Sequence, residues 1–562
     1  MKYFKKIFRR KEFIPIFLVI LWVMVGYIIY PVSSLFLDSV RSPEGQFSLQ
    51  RYLDFFNFQE YNYIVPFINS IQSAFFVMLG TSALGLFFGY LFTRYDFPGK
   101  SLLYSLLIVP LIMPGFIAAN AYILLYGRAG VITQLIQQTF NLSDVPFSIG
   151  GFWGLVIVQT VTFFPLAFLT ITASLSRLDY SLNEAAESLG SSRFTVFRKV
   201  TLPLLTPGII ASNILVFMMS IADFGTPLFM EFNTLTVSIW RRKIMGQDQM
   251  SATLSVILTL TSIAFLFLAR WYQSRKEYVS LSKGEPRARE FKSDVSKYLV
   301  AGITFILLFL IFLPFGMIIL MSFTQMQHWG FQDIIPTVYN LNNFREIFTT
   351  DLVLIIRNSL TYAAAASVLA VVYGVFTSYF LKRNTFKGIG IIDAIVTSPY
   401  AIPGTVLGVS FIIAFNRGTI FSFNQVLVNT PYIIILIYFI RRSPYTIRSV
   451  NAIFDQIGES VEEASYSLGA GWFYTFRRVI LPLIKPGLIA GLMLTFITAI
   501  AEFNATILLY TPDTMTIPIS IYRLIYDFKM GTASAMALIQ ISLAMAAILL
   551  INKLVGLKAL KL

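Results

Sequence analysis

Residues 181–208 read SLNEAAESLGSSRFTVFRKVTLPLLTPG, and residues 460–487 read SVEEASYSLGAGWFYTFRRVILPLIKPG. Glu, Gly, Leu-Pro and Pro-Gly recur between the two at one offset of 279. Further out the pairing continues at an offset of 289: Asn69-Ser70 with Asn358-Ser359, Pro110 with Pro399, Pro114-Gly115 with Pro403-Gly404. Shared offsets over so many residues mark an internal duplication. Each segment opens with Ser-x-x-Glu, the capping-box pattern, at Ser181/Glu184 and Ser460/Glu463. The helix so started is expected to run about two turns, roughly 12 Å, and to stop at Gly190 or Gly469, suited to a left-handed C-cap. A second amphipathic stretch is expected to end before Leu202-Pro203 and Leu481-Pro482, because a residue preceding proline is biased away from helix.

The surrounding composition places these segments beside a membrane. Of 562 residues, 56% are hydrophobic and 13% charged, against roughly 25% charged in soluble domains. Apolar blocks of about 20–27 residues match a hydrocarbon layer of about 30 Å. Twelve apolar blocks, most of about that length, lie near 13–37, 66–92, 102–126, 152–176, 208–230 and 251–270, then 298–323, 353–381, 389–415, 424–440, 487–510 and 531–552. The expected fold is an all-α polytopic membrane protein of about 12 transmembrane helices. Six spans per copy is even, so the two six-helix repeats are parallel, related by an axis along the membrane normal. The division is a basic tail at 1–12, a first repeat at 13–270, a polar linker at 271–297 and a second repeat at 298–562. The first block is too long for a signal-peptide core and reads as a retained helix.

The formal charge of +15 would suggest nucleic acid in a soluble chain. Here its placement explains it. The tail holds six Lys/Arg, and the linker with Arg270 holds eight. With the N-terminus inside, cytoplasmic segments carry roughly threefold more Lys/Arg than external ones, as the positive-inside rule expects. Both termini are then cytoplasmic. There is no cysteine and a single histidine, His328, which excludes disulfides, thiol nucleophiles and His-cluster metal sites. No catalytic residue, metal site or cofactor is expected.

The pattern Glu-Ala-Ala, three residues, Gly, nine residues, an aliphatic, one residue, Leu-Pro resembles the coupling loop of ABC importer permeases of the type I fold. The first copy matches at Glu184, Ala185, Ala186, Gly190, Val200, Leu202 and Pro203. The second matches at Glu463, Ala464, Gly469, Val479, Leu481 and Pro482, with Ser465 in place of the second alanine. The resemblance implies a type I importer transmembrane fold in a bacterial inner membrane. Its loops 181–208 and 460–487 would dock into two copies of a separate cytoplasmic ATPase, and a soluble binding protein would deliver substrate outside. It also implies that this chain is the translocation subunit only, with ATP hydrolysis left to the partner ATPase. A single chain holding both halves, with Ala222-Asp223-Phe224-Gly225-Thr226 and Ala501-Glu502-Phe503-Asn504-Ala505-Thr506, resembles the ferric-iron permease branch. Permeases for thiamine, polyamines and aminoethylphosphonate share the same features.

Asp223 and Glu502 are paired acids in the fifth span of each copy. They either line a translocation path, since ionisable residues in spans usually face a bundle interior, or cap a helix break marked by Gly225, Pro227 and Asn504. Asp393 reads as a carboxylate near a helix N-terminus. Arg241-Arg242-Lys243 fall outside against the charge rule, meeting either an anionic partner or the interface beside Trp240. Gly99-Lys100-Ser101 imitates a phosphate loop, but Arg94 stands where its first glycine belongs. A secondary transporter driven by an ion gradient is the rival class. It needs coupling-ion ligands near the midplane and leaves the paired loops unexplained.

Overall fold

The computed structural model describes residues 12–42, 44–57, 63–176, 178, 181–274, 294–324, 334, 336–384 and 387–555. Most of the basic tail, most of the linker and His328 lie outside the described residues. Among those residues nine helices are long and apolar enough to cross a membrane. Ile389–Tyr400 and Gly404–Phe415 make a further apolar pair of helices, bent by 104° at a short break. Asp248–Ser274 and Pro431–Phe454 complete the twelve blocks.

Proline sets the breaks. Pro110 lies in a tight turn over Val109–Ile112, Met113 is extended, and Pro114 caps the new helix Gly115–Tyr126. Proline lacks the N–H that would continue a helix and forces its predecessor towards extended backbone. Pro399 and Pro403 repeat the arrangement ahead of Gly404–Phe415.

Two sequence expectations need correction. The chain does not leave helix at Leu-Pro: π-helical turns at Phe197–Thr201 and Phe476–Ile480 lead directly into Leu202–Ala222 and Leu481–Ile500. The widened turn bonds Leu202 N–H to the Phe197 carbonyl and Leu481 N–H to that of Phe476. The proline ring is thereby accommodated without a break. The tenth span runs from Pro431 to Phe454 rather than ending at 440. Arg441 and Arg442, just past that expected end, therefore lie within the helix.

The chain forms two compact units. One comprises Leu53–Ser238 and Ile257–Tyr339. Here Val65–Arg94, Gly151–Leu175 and Leu202–Ala222 pack together, with Gly85 so close to Ala167 that a Cβ would approach its methyl to 2.8 Å. Phe88, Phe92, Phe164, Phe168 and Leu107 form an apolar core that Leu308 joins. Leu308 belongs to Asp294–Ser322, the first helix of the second repeat.

The other unit comprises Met1–Tyr52, Ile239–Val256 and Asn340–Leu562. Leu352–Arg383, Pro431–Phe454 and Leu481–Ile500 form the matching trio, with Gly374 against Thr446 where Gly85 meets Ala167. The first helix of the first repeat belongs here. Phe13 stacks on Tyr379 at 5.4 Å, and Tyr27 donates its hydroxyl proton to the Phe421 carbonyl at 2.7 Å. A Cβ on Gly26 would run into the Phe421 ring. Sequence repeat and spatial unit are thus different divisions, each unit having taken its first helix from the opposite repeat.

The paired Asn-Ser motif has a structural use in both units. Ser70 accepts the N–H of Leu235, and Ser359 that of Ile517, at 2.8 and 2.7 Å. These are the first residues of helices Leu235–Ile244 and Ile517–Tyr526. Asn69 donates to the Asn233 carbonyl and Asn358 to that of Asp513. Each pair supplies acceptors and donors to an otherwise unsatisfied helix start.

Candidate functional site

The paired loops form short helices, Ser181–Ser188 and Ser460–Ser467. Both end in the same Schellman motif. Gly190 and Gly469 take φ of +87° and +83°. Ser191 N–H reaches back to the Ala186 carbonyl and Gly190 N–H to that of Glu187. In the second copy Ala470 N–H bonds to Ser465 and Gly469 N–H to Tyr466. Helix length, stop and handedness follow the sequence expectation.

The start of the second loop does not. Its N-cap is Glu459, in helical conformation and without a side-chain cap, so Ser460 is already inside the helix. The first-turn anchor is the preceding position. Glu462, buried, is ion-paired to Arg383 Nε at 2.5 Å and accepts from the Tyr379 hydroxyl at 3.0 Å. Trp472 Nε1 donates to Tyr379 at 3.3 Å, and the Arg383 guanidinium lies over Phe454. The first copy uses buried Asn183, hydrogen-bonded to Thr201 at 3.2 Å. Glu462 was visible in the sequence only as one acid of an adjacent pair.

With Asn183 and Glu462 turned inward, Glu184, Ala185, Glu463 and Ala464 are exposed. Ala186 and Ser465 are partly covered, and Ser465 bonds Thr475 at 2.9 Å. The corresponding first-copy residues are Ala186 and Val196, so an apolar pair has become a polar one. Leu189 and Leu468, at the tips, are each 88% exposed. Pro203 and Pro482 follow the π-helical turns behind them.

The paired acids stand where the fifth spans break. The helix Leu202–Ala222 ends at Asp223, whose Oδ1 accepts Gly225 N–H at 3.1 Å and whose Oδ2 accepts Gln159 Nε2 at 3.0 Å. Gln159 in turn accepts from Ser220 at 2.6 Å. Glu502 follows the break after Ile500 and accepts Ala505 N–H through Oε1 at 3.1 Å. It is also ion-paired to both Arg441 and Arg442. The break-capping geometry is therefore present in both copies, with a neutral partner in one and two cations in the other. The arginines escaped the sequence reading because hydropathy ends a span at a charge.

Other sequence candidates have local partners. Asp393, the middle residue of Ile389–Thr397, pairs with Arg448 at 3.2 Å. Lys243 pairs with Asp248 at 2.9 Å, and Arg242 donates to Gln247 at 2.8 Å. Lys100 bonds the Tyr95 carbonyl at 2.7 Å and begins a helix rather than following a strand. No group of three or more metal-ligating side chains occurs among the described residues.

The chain is similar to several known proteins. The chain is 28% identical over 566 residues to the ferric transport system permease protein FbpB of Actinobacillus pleuropneumoniae, covering 97% of this chain and 79% of that one. It is 27% identical over 254 residues to a putative 2-aminoethylphosphonate transport system permease protein PhnV of Salmonella paratyphi A, covering 45% of this chain and 92% of the relative. A bacterial ABC transporter involved in alginate import aligns with a TM-score of 0.40 and 14% identity, over 50% of this chain and 100% of its own. The family described as binding-protein-dependent transport system inner membrane component matches twice, at residues 81–278 and 370–557. These two matches take in more than half of the sequence, and the chain belongs to that family, as a multi-pass inner-membrane importer permease with both copies of the domain in one polypeptide.

Proposed function

We propose that this chain is the fused permease of an importer for ferric iron, driven by ATP hydrolysis on two copies of a separate ATPase. The observation that carries the coupling role is the pair of exposed loop helices. Glu184, Ala185, Ala186, Gly190 and Pro203 in one, and Glu463, Ala464, Ser465, Gly469 and Pro482 in the other, build the same projecting shape. Each is tipped by an exposed leucine and tied at its base to a span. A cleft that grips these helices transmits its closure to the spans through those ties. Asp223 and Glu502 line the translocation path where the fifth spans break. Both termini are cytoplasmic, on the side that carries the loops. Iron is favoured as cargo because resemblance to the ferric permease runs through both repeats, whereas resemblance to the aminoethylphosphonate permease covers under half of the chain.

The test is purification of the tagged chain from its native membranes, assaying ATPase activity in the eluate, beside a Glu184→Arg/Glu463→Arg variant that elutes as a folded particle. ATPase activity should accompany the parent and fall by about tenfold or more with the variant, since reversing the charge and enlarging the side chain on each docking face disturbs its fit to a cleft. Equal ATPase recovery with both forms sinks the coupling assignment. Uptake of radioactive iron by the complex reconstituted with its binding protein tests the cargo; ATP-driven uptake of another solute instead removes iron.

A further inference from the structure

Beside Glu502, the second repeat concentrates positive charge at one helix start. The helix Gly404–Phe415 begins at the break after Pro403. A Cβ on Gly404 would lie 2.5 Å from Arg441 Nη1, so the guanidinium packs directly on the first residue of that helix. The first N–H groups of a helix have no acceptor within it, and the helix dipole adds partial positive charge there. Arg442 lies alongside, its guanidinium 5.9 Å from the Tyr445 ring centroid. The single carboxylate of Glu502 answers both arginines, which leaves one positive charge over. Asp393 does not supply the balance, being paired with Arg448.

Two buried polar atoms here have no hydrogen-bond partner, Arg442 Nε and Thr405 Oγ1. Thr405 is fully buried in the first turn of Gly404–Phe415. Tyr400, half exposed, packs edge-on against Tyr445 and gives the cluster an open edge. At the corresponding places the first repeat has Phe116, Thr162 and Phe163. The charged arrangement is therefore particular to the second repeat and is not needed to form the break.

We propose that Arg441, Arg442, Thr405 and the start of Gly404–Phe415 form an oxyanion-binding site, at which cargo is met through its anionic oxygens. Guanidinium groups match the planar, two-oxygen geometry of carboxylates and phosphates. A hydroxyl and free helix N–H groups complete such a site. Its place in transport rests on the importer reading above, but its ligand chemistry does not. A bare ferric ion is repelled by this surplus charge; an iron ion clothed in oxyanion ligands, or a free oxyanion, is attracted.

The experiment measures binding of radiolabelled inorganic phosphate and citrate to the full-length purified chain by equilibrium dialysis. Arg442→Gln and Thr405→Val, the latter nearly isosteric, should each weaken binding by roughly tenfold. Glu502→Gln should bind at least as well as the parent, because it removes a competing carboxylate. Failure of the parent to bind either probe overturns the proposal, as does parental binding by folded Arg442→Gln and Thr405→Val. Uptake by the complete complex, with iron and anion carrying different labels, separates the two sources. Entry of both labels together places the oxyanion on the iron. Entry of the anion alone upholds the site and ends the ferric reading, while entry of iron alone overturns the proposal.

Discussion

At the scale of single residues, the loop helices depend on one backbone conformation. Gly190 and Gly469 have positive φ, where an L side chain costs about 1–2 kcal/mol. Their N–H groups, with those of Ser191 and Ala470, close both helices, so the cost falls on the projecting element. Gly469→Ala should raise amide hydrogen exchange over Ser460–Leu468 by roughly tenfold, the factor corresponding to 1.4 kcal/mol. Asn, which enters the left-handed region more readily, should raise it less. Unchanged protection in Gly469→Ala would mean that docking contacts rather than the C-cap hold the helix. These glycines were legible in the sequence because their duty is local, and the same spacing expresses it twice. Ser460 was misread for the complementary reason. The Ser-x-x-Glu pattern fits a capping box, yet the inward anchor at Glu462 winds the helix back to Glu459 and carries Ser460 inside.

At the scale of elements, the two loops are tied to the spans by different chemistry. The Arg383–Glu462 pair is buried on both sides, with side-chain exposures of 6% and 3%, so removal of one partner leaves an uncompensated charge. Glu462→Ala should destabilise the chain by about 3–5 kcal/mol. Joint replacement with Arg383→Met should recover most of that loss, because a well-packed apolar pair often replaces a buried ion pair without penalty. Asn183→Ala, at the neutral anchor, should cost only about 1 kcal/mol. Denaturant unfolding of the purified variants checks the order. A double variant no more stable than Glu462→Ala would show that the arginine, too, has a role beyond pairing. Neither tie was legible in sequence, since Arg383 and Glu462 are 79 residues apart. The same applies to Arg441 and Arg442. Hydropathy registers their charge as the end of a span, while the carboxylate that allows them inside the helix lies 61 and 60 residues further on.

At the scale of the molecule, duplication made the twelve blocks and the two loops legible but concealed how the blocks are shared. Shared offsets report common descent, and descent assigns Phe13–Ser39 to the first repeat and Asp294–Ser322 to the second. Packing assigns them the other way. Phe13 and Phe17 lie against Tyr379 and Phe380, and Tyr27 and Gly26 meet Phe421. Leu308 joins the core of Phe88, Phe164 and Phe168, and Met317 and Met321 join that of Leu124 and Leu125. Each unit therefore needs helix from both halves of the sequence. A chain cut within the linker, for example after Gly284, should give two fragments that are unstable when produced singly and that co-purify when produced together. Only one fragment need carry a tag for the other to be recovered. The substitution Gly26→Leu should weaken that recovery, since its side chain would enter the Phe421 ring, whereas Leu18→Ala, at an exposed position on the same helix, should leave it unchanged. If each fragment instead accumulates alone as a stable particle, a repeat can close its own core, and the first helices are attached to their units less firmly than these contacts require.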